Sequence, residues 1–267
     1  MSNMLSPVAE LRVGNARVRN FFSQFHVSLS RKEPADRAEF RLKSSLAELG
    51  LAKDTPIEIW LGYSPDQSWR AFAGYITDAA SPRFVAKDEA VKLFRTKIVR
   101  MFQNVSPQDV LRYGLRQAGI TDIALAPDAF PRKARFAAAG ENVSELVNRV
   151  NETWRLDFDH YFDADRRFHW DAPVPKPGRV YSFEYGMNII ELDFNTDRDP
   201  HGQRAAGDTP GAGRLLTVLA PFVGHSQEIG ITWPNIGDRR FITEAVHHFI
   251  SDRGALRTEL YFRELVA

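Results

Sequence analysis

The chain has 267 residues, room for one to three compact modules, and at 43% hydrophobic and 12% aromatic it can bury a core, which excludes wholesale disorder. Lys and Arg total 35 against 34 Asp and Glu, so a net charge of +1 offers none of the basic excess expected of a nucleic-acid binder. Cysteine is absent, which removes disulfides, thiolate metal sites and cysteine nucleophiles together.

Residues 1–13 show no basic segment followed by an apolar stretch, so no secretory leader is expected. No run approaches the roughly 18 apolar residues of a membrane span. A soluble protein made in a cytoplasm is the expectation. Period-2 alternation then dominates. Phe21, Phe25, Val27 and Leu29 share one face, with Gln24, His26 and Ser28 opposite. Ile57, Ile59 and Leu61 alternate with Glu58 and Trp60, and Phe72, Gly74 and Ile76 alternate within residues 70–78. Each reads as a strand with one buried face. Residues 88–102 contain few breakers and read as a single strand, about 50 Å if extended, which would have to bend round a barrel or project as an arm.

Two helices follow. Ser106, Pro107 and Asp109 supply an N-cap, a first-turn proline and an acid at the third position, ahead of the stripe Val110, Leu111, Gly114, Leu115 and Ala118, with Gly119 at the C-terminal cap. Asn142 and Glu145 form a second capping box before Val143, Leu146, Val147 and Val150. Asn142-Val143-Ser144 also matches a glycosylation acceptor, but without a leader the cap is the better reading. Strands resume over 156–162 and 167–170. Pro173, Pro175 and Pro177 read as a linker, and Ile190, Leu192 and Phe194 as one face of a strand. Residues 196–213 read as a mobile loop that orders in an assembly, and residues 241–265 as a closing hairpin about Ser251 and Gly254. A weak internal echo links Ile57–Leu61 and Ile76 with Ile229–Trp233 and Ile242.

The densest candidate chemistry is Asp157, Asp159, Asp163 and Asp165. Glycoside hydrolysis needs two facing carboxylates, one kept protonated. On an alternating strand these acids read instead as the solvent side of a hairpin. Asp163 and Asp165 begin like a calcium loop, but no glycine or distal glutamate follows at the required positions. His247 and His248 are adjacent on a strand and point to opposite faces, and His160, His169, His201 and His225 lack ligand spacing, so no metal site is expected. Nor is there a nucleophile elbow or phosphate loop. No catalytic, cofactor or metal residue is therefore assigned. Most aromatics read as core, whereas Trp60 and Trp69 fall at polar-side or turn positions and are candidate contact residues.

Four stretches in this order resemble the baseplate hub family of phage tails, which includes late control and Mu-like hub proteins. They are Ile57–Leu61 turning into Phe72-Ala73-Gly74-Tyr75-Ile76, the capped helix from Ser106, the helix from Asn142 to Trp154, and Phe241–His248 with its closing strand. The resemblance implies an α+β, mainly β fold, with two tube-like antiparallel β-barrel domains (1–104 and 176–267) flanking a small α/β module (105–175). It implies a non-enzymatic homotrimeric ring adapting a sixfold tail tube to a threefold spike in the virion baseplate. Partners would be the spike, tube or distal tail proteins and the C-terminus of a tape measure, with no cofactor, sequence-specific nucleic acid or membrane insertion. The competing readings are a β-rich cell-wall glycan-acting enzyme using the Asp157–Asp165 cluster and a barrel that binds single-stranded nucleic acid.

Overall fold

The computed structural model describes residues 7–43, 49–64, 67–171, 179–194, 211–234, 237–251 and 254–264. The proline linker and almost all of the 196–213 loop lie outside them. The N-terminal strands are β1 (Val8–Val13), β2 (Ala16–Arg19), β3 (Phe22–Ser30), β4 (Arg37–Leu42), β5 (Pro56–Ser64), β6 (Gln67–Asp78) and β7 (Arg83–Lys87). Then come α1 (Ala90–Arg95), β8 (Lys97–Val105), α2 (Pro107–Gln117), β9 (Ile123–Leu125), β10 (Lys133–Asn142), α3 (Val143–Trp154), β11 (Asp159–Phe162) and β12 (Phe168–Asp171). The C-terminal strands are β13 (Tyr181–Glu184), β14 (Ile189–Phe194), β15 (Gly213–Val218), β16 (Glu228–Trp233), β17 (Gly237–Ile250) and β18 (Leu256–Glu264). The fold is α+β and mainly β, as the alternation predicts.

The N- and C-terminal strands belong to one 13-stranded sheet, ordered β14-β15-β18-β17-β3-β4-β7-β6-β5-β1-β2, with β16 also on β17 and β13 on β16. The seam is the antiparallel pairing of β17 with β3, from Ala245 opposite Ser30 to Phe249 opposite His26. A single buried cluster runs through it, from Ala9, Leu11, Phe21 and Ile59 on one side to Phe241, Val246, Leu260 and Phe262 on the other. A second cluster, mostly within 90–170, holds the helices: Leu93, Phe102, Leu111, Leu115, Leu146, Val150, Phe168 and Trp170.

Residues 88–102 are not one strand. Val91 and Leu93 turn inward on α1, and Thr96, in extended backbone, ends that helix and starts β8. The turn begins where the Asp88 carboxylate accepts the Ala90 amide at 3.0 Å, a local interaction that competes with strand pairing. Both capping boxes form. Ser106 and Asp109 cap α2 reciprocally, and Asn142 and Glu145 cap α3, so Asn142 serves as a cap. Gly119 takes φ +75° just beyond α2. The echo extends to pairing, because β5–β6 and β16–β17 are both antiparallel hairpins. Their outer neighbours differ: β1 meets β5 antiparallel, whereas β13 meets β16 parallel. On β14 the face reading fails at Ile190, which is exposed, because a register shift between Ile189 and Glu191 displaces it.

Gly74 sits where β6 crosses β7. A Cβ there would lie 2.1 Å from the Lys87 carbonyl oxygen, a backbone atom that cannot step aside. Gly74→Ala is expected to cost about 1–3 kcal/mol, read as a lower urea midpoint. An unchanged midpoint would show that the strand crossing has slack.

Candidate functional site

The acidic cluster is dispersed, and three of its four members are paired within the chain. Asp157 is exposed in the loop before β11. Asp159, half-buried, accepts Arg31 Nε at 2.7 Å. Asp163 accepts His169 Nε2 at 2.7 Å and the amides of Asp165 and Arg167 at 2.9 and 3.0 Å. Burial works to raise the Asp163 carboxyl, but these bonds outweigh it and hold the group below the usual carboxylate range. Asp165 meets Arg70 Nη2 at 2.5 Å. Asp159 and Asp163 are thus half-buried and paired rather than free carboxylates on open solvent. No two of the four form a facing acid–base pair, because each engaged carboxylate is held by its own cation or amides.

The centre of this arrangement is Arg31, directly after β3 and only 8% exposed. Its guanidinium donates to Asp159 and, through Nη2, to Asp171 at 2.6 Å on the neighbouring strand β12. Nη1 donates to Ser226 Oγ at 3.2 Å, and the cation lies 4.9 Å from the Tyr161 ring centroid. Tyr161 stacks on His169 at 4.8 Å and meets buried His225 edge-on at 4.8 Å. Burial first, then the Asp171 charge, push the Tyr161 phenol up to about 12. One planar fork thus joins the large sheet, the loop before β16 and the β11–β12 hairpin.

Beside this junction lies a cleft of about 610 Å³, lined by Trp60, Trp69, Arg70, Phe72, Phe222, Asp88 and His225 among others. Trp69 is 39% exposed and meets Phe222 edge-on at 5.4 Å. Trp60 lies under the Arg12 guanidinium at 3.8 Å and donates to Glu58 at 3.0 Å. Both tryptophans line the cleft, Trp69 with part of its ring exposed and Trp60 with Arg12 over its face. Asp88, also in the lining, is buried. Burial, then the neighbouring Asp36 charge, raise its carboxyl well above the ordinary range. In the sequence Asp88 is one acid among many, and only the fold shows its burial.

His247 and His248 diverge as strand alternation requires. His247 Nδ1 lies 3.0 Å from His26 Nε2 with the rings stacked across the seam, and His248 is buried with Nδ1 3.0 Å from Thr258 Oγ1. The His26–His247 pair joins residues too distant in sequence for spacing to reveal. Burial pushes His248 down to about 3 and His160 down to about 4. Among the described residues, no group of three or more His, Asp or Glu side chains could hold a metal ion, and no helix is long and apolar enough to cross a membrane.

No protein-family model matches the chain, and neither does any curated protein sequence. Solved structures do match. A tail protein from Neisseria meningitidis MC58 superimposes with a TM-score of 0.70 at 13% identity, over 97% of both chains. The 43 kDa tail protein of prophage MuSo2 from Shewanella oneidensis gives 0.67 at 12% identity, over 97% of this chain and 98% of that one. The E. coli c3393 protein, a type VI secretion component described as structurally similar to T4 tail proteins gp27 and gp5, gives 0.66 at 11% identity, over 96% of this chain and 77% of its own. The chain therefore has the fold of these tail proteins, as its resemblance to the hub family implies.

Proposed function

We propose that this chain is a non-enzymatic structural subunit of a phage tail or a related contractile injection machine, acting as the hub of its baseplate. The observation that carries this reading is a likeness to tail proteins that extends over nearly the whole of both chains. The engagement of Asp159, Asp163 and Asp165 by cations and amides supports it over the glycan-acting alternative. In this reading three copies form a ring, in the virion, between a sixfold tube and a threefold spike. Two β modules and an α/β module make up each copy, and the second buried cluster supports a boundary before Ala90 rather than at residue 104. The test is to mix the purified chain with the spike and tube proteins of its own tail and measure mass by light scattering and shape by electron microscopy. A ring of three chains bound to the spike is expected. Persistent monomers that bind neither partner would overturn the proposal.

A further inference from the structure

The two ends of the large sheet path, β2 and β14, each pair with one strand only among the described residues. An edge strand presents a row of backbone donors and acceptors to solvent and is a ready template for another chain. These two edges carry mirrored sequences. On β2, Arg17-Val18-Arg19 places two exposed arginines on one face and a half-buried valine on the other. On β14, Glu191-Leu192-Asp193 places two exposed acids on one face and a half-buried leucine on the other. Strand β2 contains no acid and β14 no base. Val18 and Leu192 both pack against the same large hydrophobic cluster.

We infer that β2 of one copy pairs with β14 of a second copy, with Val18 opposite Leu192 and the two arginines opposite the two acids. The match holds in either strand direction, since Arg17 meets Asp193 if the strands run antiparallel and Glu191 if they run parallel. On the outer face, two opposite-charge cross-strand pairs form. On the inner face, Val18 and Leu192 carry the apolar layer of one copy into the next. Existing pairs would have to be shared or exchanged, since Asp193 also lies opposite Arg214 on β15. Arg19 to Glu10 spans 3.4 Å, and Glu191 to Arg214 spans 2.8 Å between partly exposed side chains. Because the two edges differ, the contact is heterologous and closes into a ring or grows into a filament according to its angle. This rests on the hub reading and specifies the surface by which its copies meet.

The absence of cysteine allows a direct test on the full chain. Arg17→Cys combined with Asp193→Cys, and Arg17→Cys combined with Glu191→Cys, are oxidised and resolved on denaturing gels. One of the two is expected to give disulfide-linked multimers; only monomers from both would overturn the pairing. Separately, Arg17→Glu with Arg19→Glu is expected to weaken self-association about 30-fold, and adding Glu191→Arg with Asp193→Arg to the same chain should restore it. If the wild-type protein assembles and the reversed variant assembles equally well, the β2–β14 contact fails while the hub reading survives. If the wild-type chain stays monomeric even with spike and tube, both fail.

Discussion

Arg31→Ala is expected to lower the melting temperature by about 6–12 °C, the shift for a loss of roughly 3 kcal/mol in a chain of this size. Arginine at this position is nearly buried and holds the carboxylates of Asp159 and Asp171 on two adjacent strands at 2.7 and 2.6 Å. Without it, two acids on neighbouring strands repel each other, and the Ser226 hydroxyl and Tyr161 ring lose a shared partner. The cost is larger than for a surface pair because one partner is almost wholly desolvated. Arg31→Lys should recover less than half of the loss, since one ammonium cannot span both carboxylates as a planar fork does. Amide exchange should rise first in the β11–β12 hairpin. A melting temperature within 2 °C of wild type for Arg31→Ala would show that the hairpin is held by apolar packing alone.

Between pH 7 and 4.5 the folded state should lose about 5 kcal/mol from two histidines alone. In the unfolded chain His248 and His160 take up protons near pH 6.5, whereas in the fold burial keeps them neutral down to about 3 and 4. The unfolded state therefore binds protons first, and stability falls as pH drops below 6.5, by up to about 1.4 kcal/mol per unit for each residue. Asp88 opposes this, because its carboxyl is raised by burial and folding favours its protonated form. Urea midpoints measured at pH 7 and 4.5 should differ accordingly, and His248→Gln should remove about half of the slope. A slope left unchanged by His248→Gln would mean that water or a charge already reaches that imidazole.

What could be read beforehand depended on how local each signal was. Capping boxes span four residues and carry their own hydrogen bonds, so Ser106 and Asn142 marked α2 and α3 correctly. Alternation marked the inward faces of β3, β5 and β6 for the same reason. The span 88–102 failed because a six-residue helix is too short to establish a period, and its start depends on Asp88, whose amide bonds to Asp36 in the loop before β4. The ion pair of Asp159 on β11 was not legible because alternation reports which face a side chain takes, not what meets it there. Asp159 is covered by Arg31, 128 residues earlier. The seam between β3 and β17, and the His26–His247 pair upon it, are equally non-local. So is the junction cleft, whose lining is drawn from residues 29 to 227.

Strand β17 touches β16, β18 and β3 along its 14 residues. A push applied to the C-terminal strands therefore reaches the N-terminal ones through backbone hydrogen bonds and a shared apolar interior, with no hinge at the β3–β17 seam. Under load the sheet should therefore behave as one stiff plate, with its compliance left to the loops.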